Sequence, residues 1–202
     1  MTSIRNARLV AGPAGALVHV NDSAALGRIE ISVLDPVGDL DLLHEWVTRP
    51  SSRFWGLGEL TPEELRDLYL FVDGLASHHA FLVRREGLPI VLLQTYEPEN
   101  DPLGDAYDVL PGDAGLHFFL GDRGEPVPRF SWHVSDLIAE FVFSRPEVDR
   151  IVIEPDVGNE RAVARAVKSG FELGPLVQLP DKTGRLAFLT RERWERQRAA
   201  VS

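Results

Sequence analysis

Cysteine is absent from the 202 residues. Its absence excludes disulfides, thiolate metal sites and a cysteine nucleophile. Lysine is nearly absent too, with 2 Lys against 19 Arg, a bias as compatible with genome composition as with function. Long apolar runs are also lacking. The N-terminal "MTSIRNARLVAGPAGALVHV" holds no stretch long enough for a signal-peptide core or a membrane span. The expectation is a soluble cytoplasmic protein with no membrane partner. Excess positive charge is missing as well. The net charge of −10 argues against general nucleic-acid binding. No P-loop, dinucleotide fingerprint or Gly-x-Ser-x-Gly elbow occurs. The 6 His include the neighbours His78 and His79, but no His/Asp/Glu set has zinc spacing, so no metal is expected.

What is present is enough apolar residue, 44% of the chain, to build a sizeable core without staples. Residues 1–27 are weakly patterned, with "RLV" and "ALVHV" flanking "AGPAG", and read as an arm or short hairpin. Residues 28–202 read as one mixed α/β domain. "RIEISVLD" alternates Ile29, Ile31 and Val33 with polar residues and predicts a strand. "DPVGDLDLLHEWV" predicts a short helix, and "TRPSSRFWGLGE" a turn. Thr61, Pro62 and Glu64 form a capping-box start for a helix carrying Leu65, Leu68, Tyr69 and Val72. "HAFLVRREGLPIVLLQTYEP" predicts an antiparallel hairpin.

A polar loop leads into "GLHFFLG", a strand with a histidine among apolar neighbours. A helix is expected from about Arg129 to Phe143, with Phe130, Val134, Leu137, Ile138 and Phe141 on one face. "DRIVIEPD" predicts a buried strand, "NERAVARAVKSGF" a helix, "FELGPLVQLP" and "GRLAFLT" a strand pair, and "RERWERQRAA" a terminal helix or tail.

This order resembles the GCN5-related N-acetyltransferase (GNAT) fold. The resemblance implies a single mixed sheet whose fourth and fifth strands start parallel and splay apart. Acyl-coenzyme A would lie in the gap, its pantetheine against the strand backbone and its pyrophosphate at the next helix N-terminus. Free N–H groups and the helix dipole stabilise phosphate charge there. "FWG", "GDAGLHFFLG", "PVPRFSWHV", "RIVIEPDVGN", "SGFE" and "LPDKTGRLAFL" further resemble the acyltransferases of hydroxamate siderophore biosynthesis, over roughly residues 28–190. That likeness implies acetyl- or succinyl-coenzyme A as co-substrate and a small N-hydroxyamine as acceptor. The protein would act as a monomer or homodimer.

The same resemblance implies a catalytic pair, His117 and Asp156. By pattern alone, His117 is either a hydrogen-bonded core residue or a base that titrates near neutrality. Asp156 is either a turn residue or a member of the site. Phe118, Phe119 and Leu120 would present backbone to the pantetheine. Arg129 is either a solvated arginine or a phosphate contact, assisted by the amides of Phe130 and Ser131. "DRGEPVPRF" departs from the glycine-rich phosphate loop of most relatives and matches the siderophore branch. Asn159 is a candidate for both a helix cap and a pantetheine contact.

Six acids and no base lie between Glu97 and Asp113. That run reads as a solvated loop, or as a receiver of an acceptor's ammonium through residues such as Asp101. Trp55, Gln94 and Tyr96 are candidates for the acceptor pocket, Trp55 being equally readable as core.

Overall fold

The computed structural model describes residues 8–200. The first seven residues of the expected arm lie outside the described residues. Eight strands form one mixed sheet in the order β1-β2-β3-β4-β5-β6-β8-β7. The expected single mixed α/β sheet is therefore present. The chain divides into two compact units, and β5 contributes its first half to one and its second half to the other.

The first unit holds Ala11–Thr95 and His117–Pro128. β1 (Leu17–Ser23) pairs antiparallel with β2 (Gly27–Val33), so part of the expected arm is a sheet strand. The hairpin closes further along the chain than "AGPAG", with Ser23 opposite Gly27. β2 pairs antiparallel with β3 (His78–Arg85). β4 (Leu88–Tyr96) follows after Glu86 and Gly87, both at positive φ. Two such residues in succession give the twist that closes a tight hairpin.

α1 (Leu40–Val47) and α2 (Pro62–Asp73) cover this unit's core. Trp46, Leu43, Leu65 and Tyr69 pack with Leu82 and Leu92 from the strands. The capping box at Thr61 and Glu64 is formed in both directions. The expected turn before it contains a 3₁₀ helix, Pro50–Trp55, closed by Gly56 at φ 76°. Only glycine enters that left-handed region without strain.

The second unit holds residues 8–10, Tyr96–Leu116 and residues 129–200. β5 (Asp113–Leu120) starts parallel to β6 (Arg150–Ile153). β6 pairs antiparallel with β8 (Thr183–Thr190), and β8 with β7 (Glu172–Gln178). α3 (Phe130–Phe143), α4 (Glu160–Lys168) and α5 (Arg191–Ala199) complete it. α3 buries the five predicted apolar residues, Phe130, Val134, Leu137, Ile138 and Phe141.

The start of β5 is pinned by an ion pair. Asp113 is fully buried and takes two hydrogen bonds of 2.7 Å from the Arg150 guanidinium. The Tyr107 hydroxyl donates a third at 2.9 Å. A buried carboxylate persists only when its lone pairs are so occupied. Among the described residues, no helix is long and apolar enough to cross a membrane.

Candidate active site

β5 and β6 pair through Asp113–Arg150, Ala114–Ile151 and Gly115–Val152. There the pairing ends, although β5 runs on to Leu120. Gly115 is the last paired residue of β5. A Cβ at that position would collide with the Tyr96 ring, which packs on the bare backbone. The Tyr96 hydroxyl donates to Glu154 Oε2 at 2.9 Å, and Lys182 Nζ donates to Glu154 Oε1 at 3.0 Å. Burial, reinforced by the Glu154 carboxylate, holds the Tyr96 pKa well above its ordinary value. Tyr96 is therefore a neutral donor, packed on Gly115 beside the last β5–β6 pair. It is almost wholly buried.

His117 lies two residues beyond the last pair and is half-buried. The edge of the Trp55 ring meets it at 6.4 Å between centroids and 77° between planes. Trp55 also meets Phe119 at 5.9 Å, and Phe119 meets Trp46 at 5.9 Å. Alternation along a strand puts His117 and Phe119 on one face and Phe118 and Leu120 on the other. Trp55 packs against the core cluster that contains buried Tyr69. Gln94 Nε2 donates to the Tyr69 hydroxyl at 3.2 Å. Trp55 and Gln94, both acceptor-pocket candidates, thus both reach the Tyr69 cluster, Trp55 by packing and Gln94 by a hydrogen bond. By its spacing Tyr69 is only a helix-face residue. A tyrosine at helical spacing carries no sign of what its hydroxyl will meet.

The turn after β5 is tethered by arginines from its own unit. Arg85 Nη1 donates to the carbonyls of Arg123 (3.1 Å) and Glu125 (2.8 Å). Arg49 Nη1 pairs with Asp122 at 3.0 Å. Gly124 sits at φ 63°. These ties replace the backbone freedom of the missing glycines.

In the other unit, Arg129 precedes α3 at φ 57°, and no side chain caps the helix. The Arg129 carbonyl accepts from Trp132 and His133 at 2.8 and 3.1 Å. The amides of Phe130 and Ser131 stand ahead of these first bonds, where a helix has orphan donors. The Arg129 guanidinium lies 4.5 Å from the Trp132 ring centroid.

Asp156 follows β6. Its Oδ1 accepts from the Gly158 amide at 2.6 Å, and its backbone bridges to Gly184. Asn159 caps α4, its Oδ1 accepting from Ala162 at 3.2 Å. His117 belongs to the first unit and Asp156 to the second.

The acidic loop is largely engaged within its own unit. Arg8 pairs with Glu99 at 2.6 Å and reaches Glu97 at 3.6 Å. Asp101 caps a 3₁₀ turn, Pro102–Asp105, accepting from Leu103 at 2.9 Å. Asp113 is the buried partner of Arg150. Among the described residues, no His/Asp/Glu group is arranged to hold a metal ion.

The family described as "Acetyltransferase (GNAT) domain" matches residues 35–179. The chain belongs to the GNAT family. As a GNAT protein it is an acyl-coenzyme A-dependent N-acyltransferase. It is 28% identical over 170 residues to an aminoglycoside N(6')-acetyltransferase type 1 of Klebsiella pneumoniae, covering 81% of this chain and 84% of that one. It is 26% identical over 163 residues to an N-hydroxyputrescine acetyltransferase of Acinetobacter baumannii, covering 79% and 76%. Among solved structures, the aminoglycoside acetyltransferase AAC(6')-Ib with coenzyme A superposes with a TM-score of 0.72 at 25% identity, covering 84% of this chain and 99% of that one. GNAT relatives of two substrate classes thus stand about equally near.

Proposed function

We propose that this GNAT enzyme acylates the hydroxylamine nitrogen of an N-hydroxylated diamine or lysine, forming a hydroxamate for siderophore assembly. The acceptor is N-hydroxycadaverine, N-hydroxyputrescine or N-hydroxylysine, and the acyl group acetyl or succinyl. The observation that carries the reading is His117, on the stretch of β5 that runs beyond its pairing with β6, with an apolar wall of Trp55 and Phe119 beside it. A hydroxylamine is less basic than an alkylamine and stays neutral near pH 7. It needs one proton acceptor and room for a methylene chain.

In the proposed step the hydroxylamine nitrogen attacks the thioester carbonyl while His117 takes its proton. The carbon–sulfur bond then breaks and the coenzyme A thiolate leaves, to be protonated. Backbone N–H groups of β5 stabilise the oxyanion. Asp156, with one oxygen on Gly158, offers the other to the acceptor or to His117. The backbone of Phe118, Phe119 and Leu120, with Asn159, takes the pantetheine. Arg129 and the amides of Phe130 and Ser131 take the pyrophosphate.

The 28% identity to an aminoglycoside acetyltransferase favours a second reading, transfer to an aminoglycoside amine. One assay separates the two. The protein is incubated with acetyl- and succinyl-coenzyme A and a panel of diamines, lysine, their N-hydroxylated forms and aminoglycosides, with products read by mass. Hydroxamates are expected; acylated aminoglycoside without any hydroxamate overturns the proposal. His117→Ala is expected to lower kcat about 100-fold or more, the usual contribution of a positioned base, with acyl-coenzyme A affinity kept.

A further inference from the structure

Glu154 is a buried carboxylate that the proposed chemistry leaves unused, 3% exposed just past the end of β6. Two groups from elsewhere in the same unit reach it. The Tyr96 hydroxyl, from the last residue of β4, donates to Oε2 at 2.9 Å. Its ring crosses β5 over the bare backbone of Gly115 to get there. Lys182 Nζ, from the turn between β7 and β8, donates to Oε1 at 3.0 Å. That turn is closed by the Leu179 amide, which donates to the Lys182 carbonyl at 2.9 Å. A buried carboxylate stays charged only where such donors meet it, and loss of one leaves the cost of its burial uncompensated.

Asp156 depends on the same region. The β6–β8 ladder does not stop at Ile153 and Ala187. The Arg185 amide donates to the Pro155 carbonyl at 2.9 Å, Asp156 bridges to Gly184, and the Val157 amide donates to the Thr183 carbonyl at 3.0 Å. Gly184 lies close on Glu154, for an added Cβ would stand 3.2 Å from the Glu154 carbonyl oxygen. The extension thus starts at Glu154 and ends beside Lys182, and their ion pair ties its two arms together. Alternation along the extension puts Glu154 and Asp156 on one face. Lys182 therefore also balances the nearest negative charge along the chain, which would otherwise repel the Asp156 carboxylate.

We infer that Lys182 and Tyr96, acting through Glu154, are positioning residues for Asp156. They clamp the ladder on which Asp156 rides and neutralise the carboxylate beside it, so that Asp156 presents its second oxygen in one orientation. This deepens the proposed function and rests on it for the part that Asp156 plays.

Lys182→Met keeps the length of the side chain and removes its charge. Two readouts decide the inference. The first is hydrogen exchange at the Val157 and Arg185 amides, which close the extension. Both are expected to exchange about 10-fold faster, more than the amides at the Arg150–Thr190 end of the same ladder, and to recover in part in Lys182→Arg. The second is a double-mutant cycle with Asp156→Asn, read as kcat/KM for the acceptor. Lys182→Met alone is expected to lower it about 10-fold, the scale of a small misplacement, with the KM for acyl-coenzyme A unchanged. In the Asp156→Asn background the same change is expected to cost little, because a residue that acts through another loses its effect when the other is gone. A merely structural lysine would lower the unfolding midpoint and cost the same in both backgrounds.

Equal acceleration along the whole ladder, or equal costs in the two backgrounds, overturns the inference. Should the unaltered protein acylate no hydroxylamine, the proposed function fails, and the cycle is run on whichever amine the protein does acylate. Tyr96→Phe removes one hydroxyl and keeps the ring on Gly115. It is expected to give the same pattern with a smaller fall, and is the variant to read if Lys182→Met does not fold.

Discussion

His79 shows how much a single side chain reports about its surroundings. It is the second residue of β3, half-buried, its ring 6.5 Å from that of Phe81. Burial lowers its pKa most, and neighbouring His78 lowers it further, against a hydrogen bond to Ala76 and the charge of Asp73 that raise it. The folded pKa thus lies below the unfolded value of about 6.5. Below that pH the unfolded chain takes up the proton first, so stability falls as pH drops through the window and is complete above it. Urea midpoints measured between about pH 7.5 and pH 5 should fall toward acid, and His79→Gln should flatten the fall. An equal slope in the variant would assign the effect elsewhere. Other single residues were less readable in advance. The sequence marks Gly115 as a small residue in a strand, but the Tyr96 ring that needs the space is 19 positions away. Glu154 and Lys182 stood inside quoted motifs, and their shared ion pair spans 28 positions.

Elements with local causes were legible. The capping box at Thr61, the apolar face of α3 and the continuous apolar run of β6 each depend on residues within a few positions. Elements with distant causes were not. β1 is only visible as a strand because β2 pairs with it, and in the acidic loop the 3₁₀ turn Pro102–Asp105 is capped by Asp101 while Glu99 pairs with Arg8, about 90 positions upstream. The turn after β5 is the sharpest case. Its prolines removed N–H groups, and glycine was scarce. What shapes it instead is Arg85, 38 and 40 positions upstream of the two carbonyls it binds. Arg85→Met should release those carbonyls and blur the turn. The expected result is a rise of roughly 10-fold in the KM for acyl-coenzyme A, the worth of about one charged hydrogen bond, with kcat on saturating substrate little changed. Initial rates over a range of acyl-coenzyme A concentrations would check it. An unchanged KM would mean that the turn keeps its shape without the arginine.

For the molecule as a whole, the dominant quantity is its charge of −10. A field of that size acts on a substrate before any contact forms and is screened beyond about 8–10 Å in ordinary salt. It attracts a cation and leaves a neutral zwitterion nearly indifferent. The proposed acceptors divide along that line. N-hydroxycadaverine carries one ammonium and no carboxylate, whereas N-hydroxylysine carries both an α-ammonium and a carboxylate. Their nucleophiles are the same, so a difference in salt response isolates the long-range field from the chemistry. Arg8 already neutralises part of the acidic loop at Glu97 and Glu99. Raising NaCl from about 20 to 300 mM shortens the Debye length severalfold. Over that range kcat/KM for N-hydroxycadaverine should fall, and that for N-hydroxylysine should change much less. Equal slopes would show that encounter is governed by local contacts, and would return the acidic loop to the solvated role that its composition first suggested.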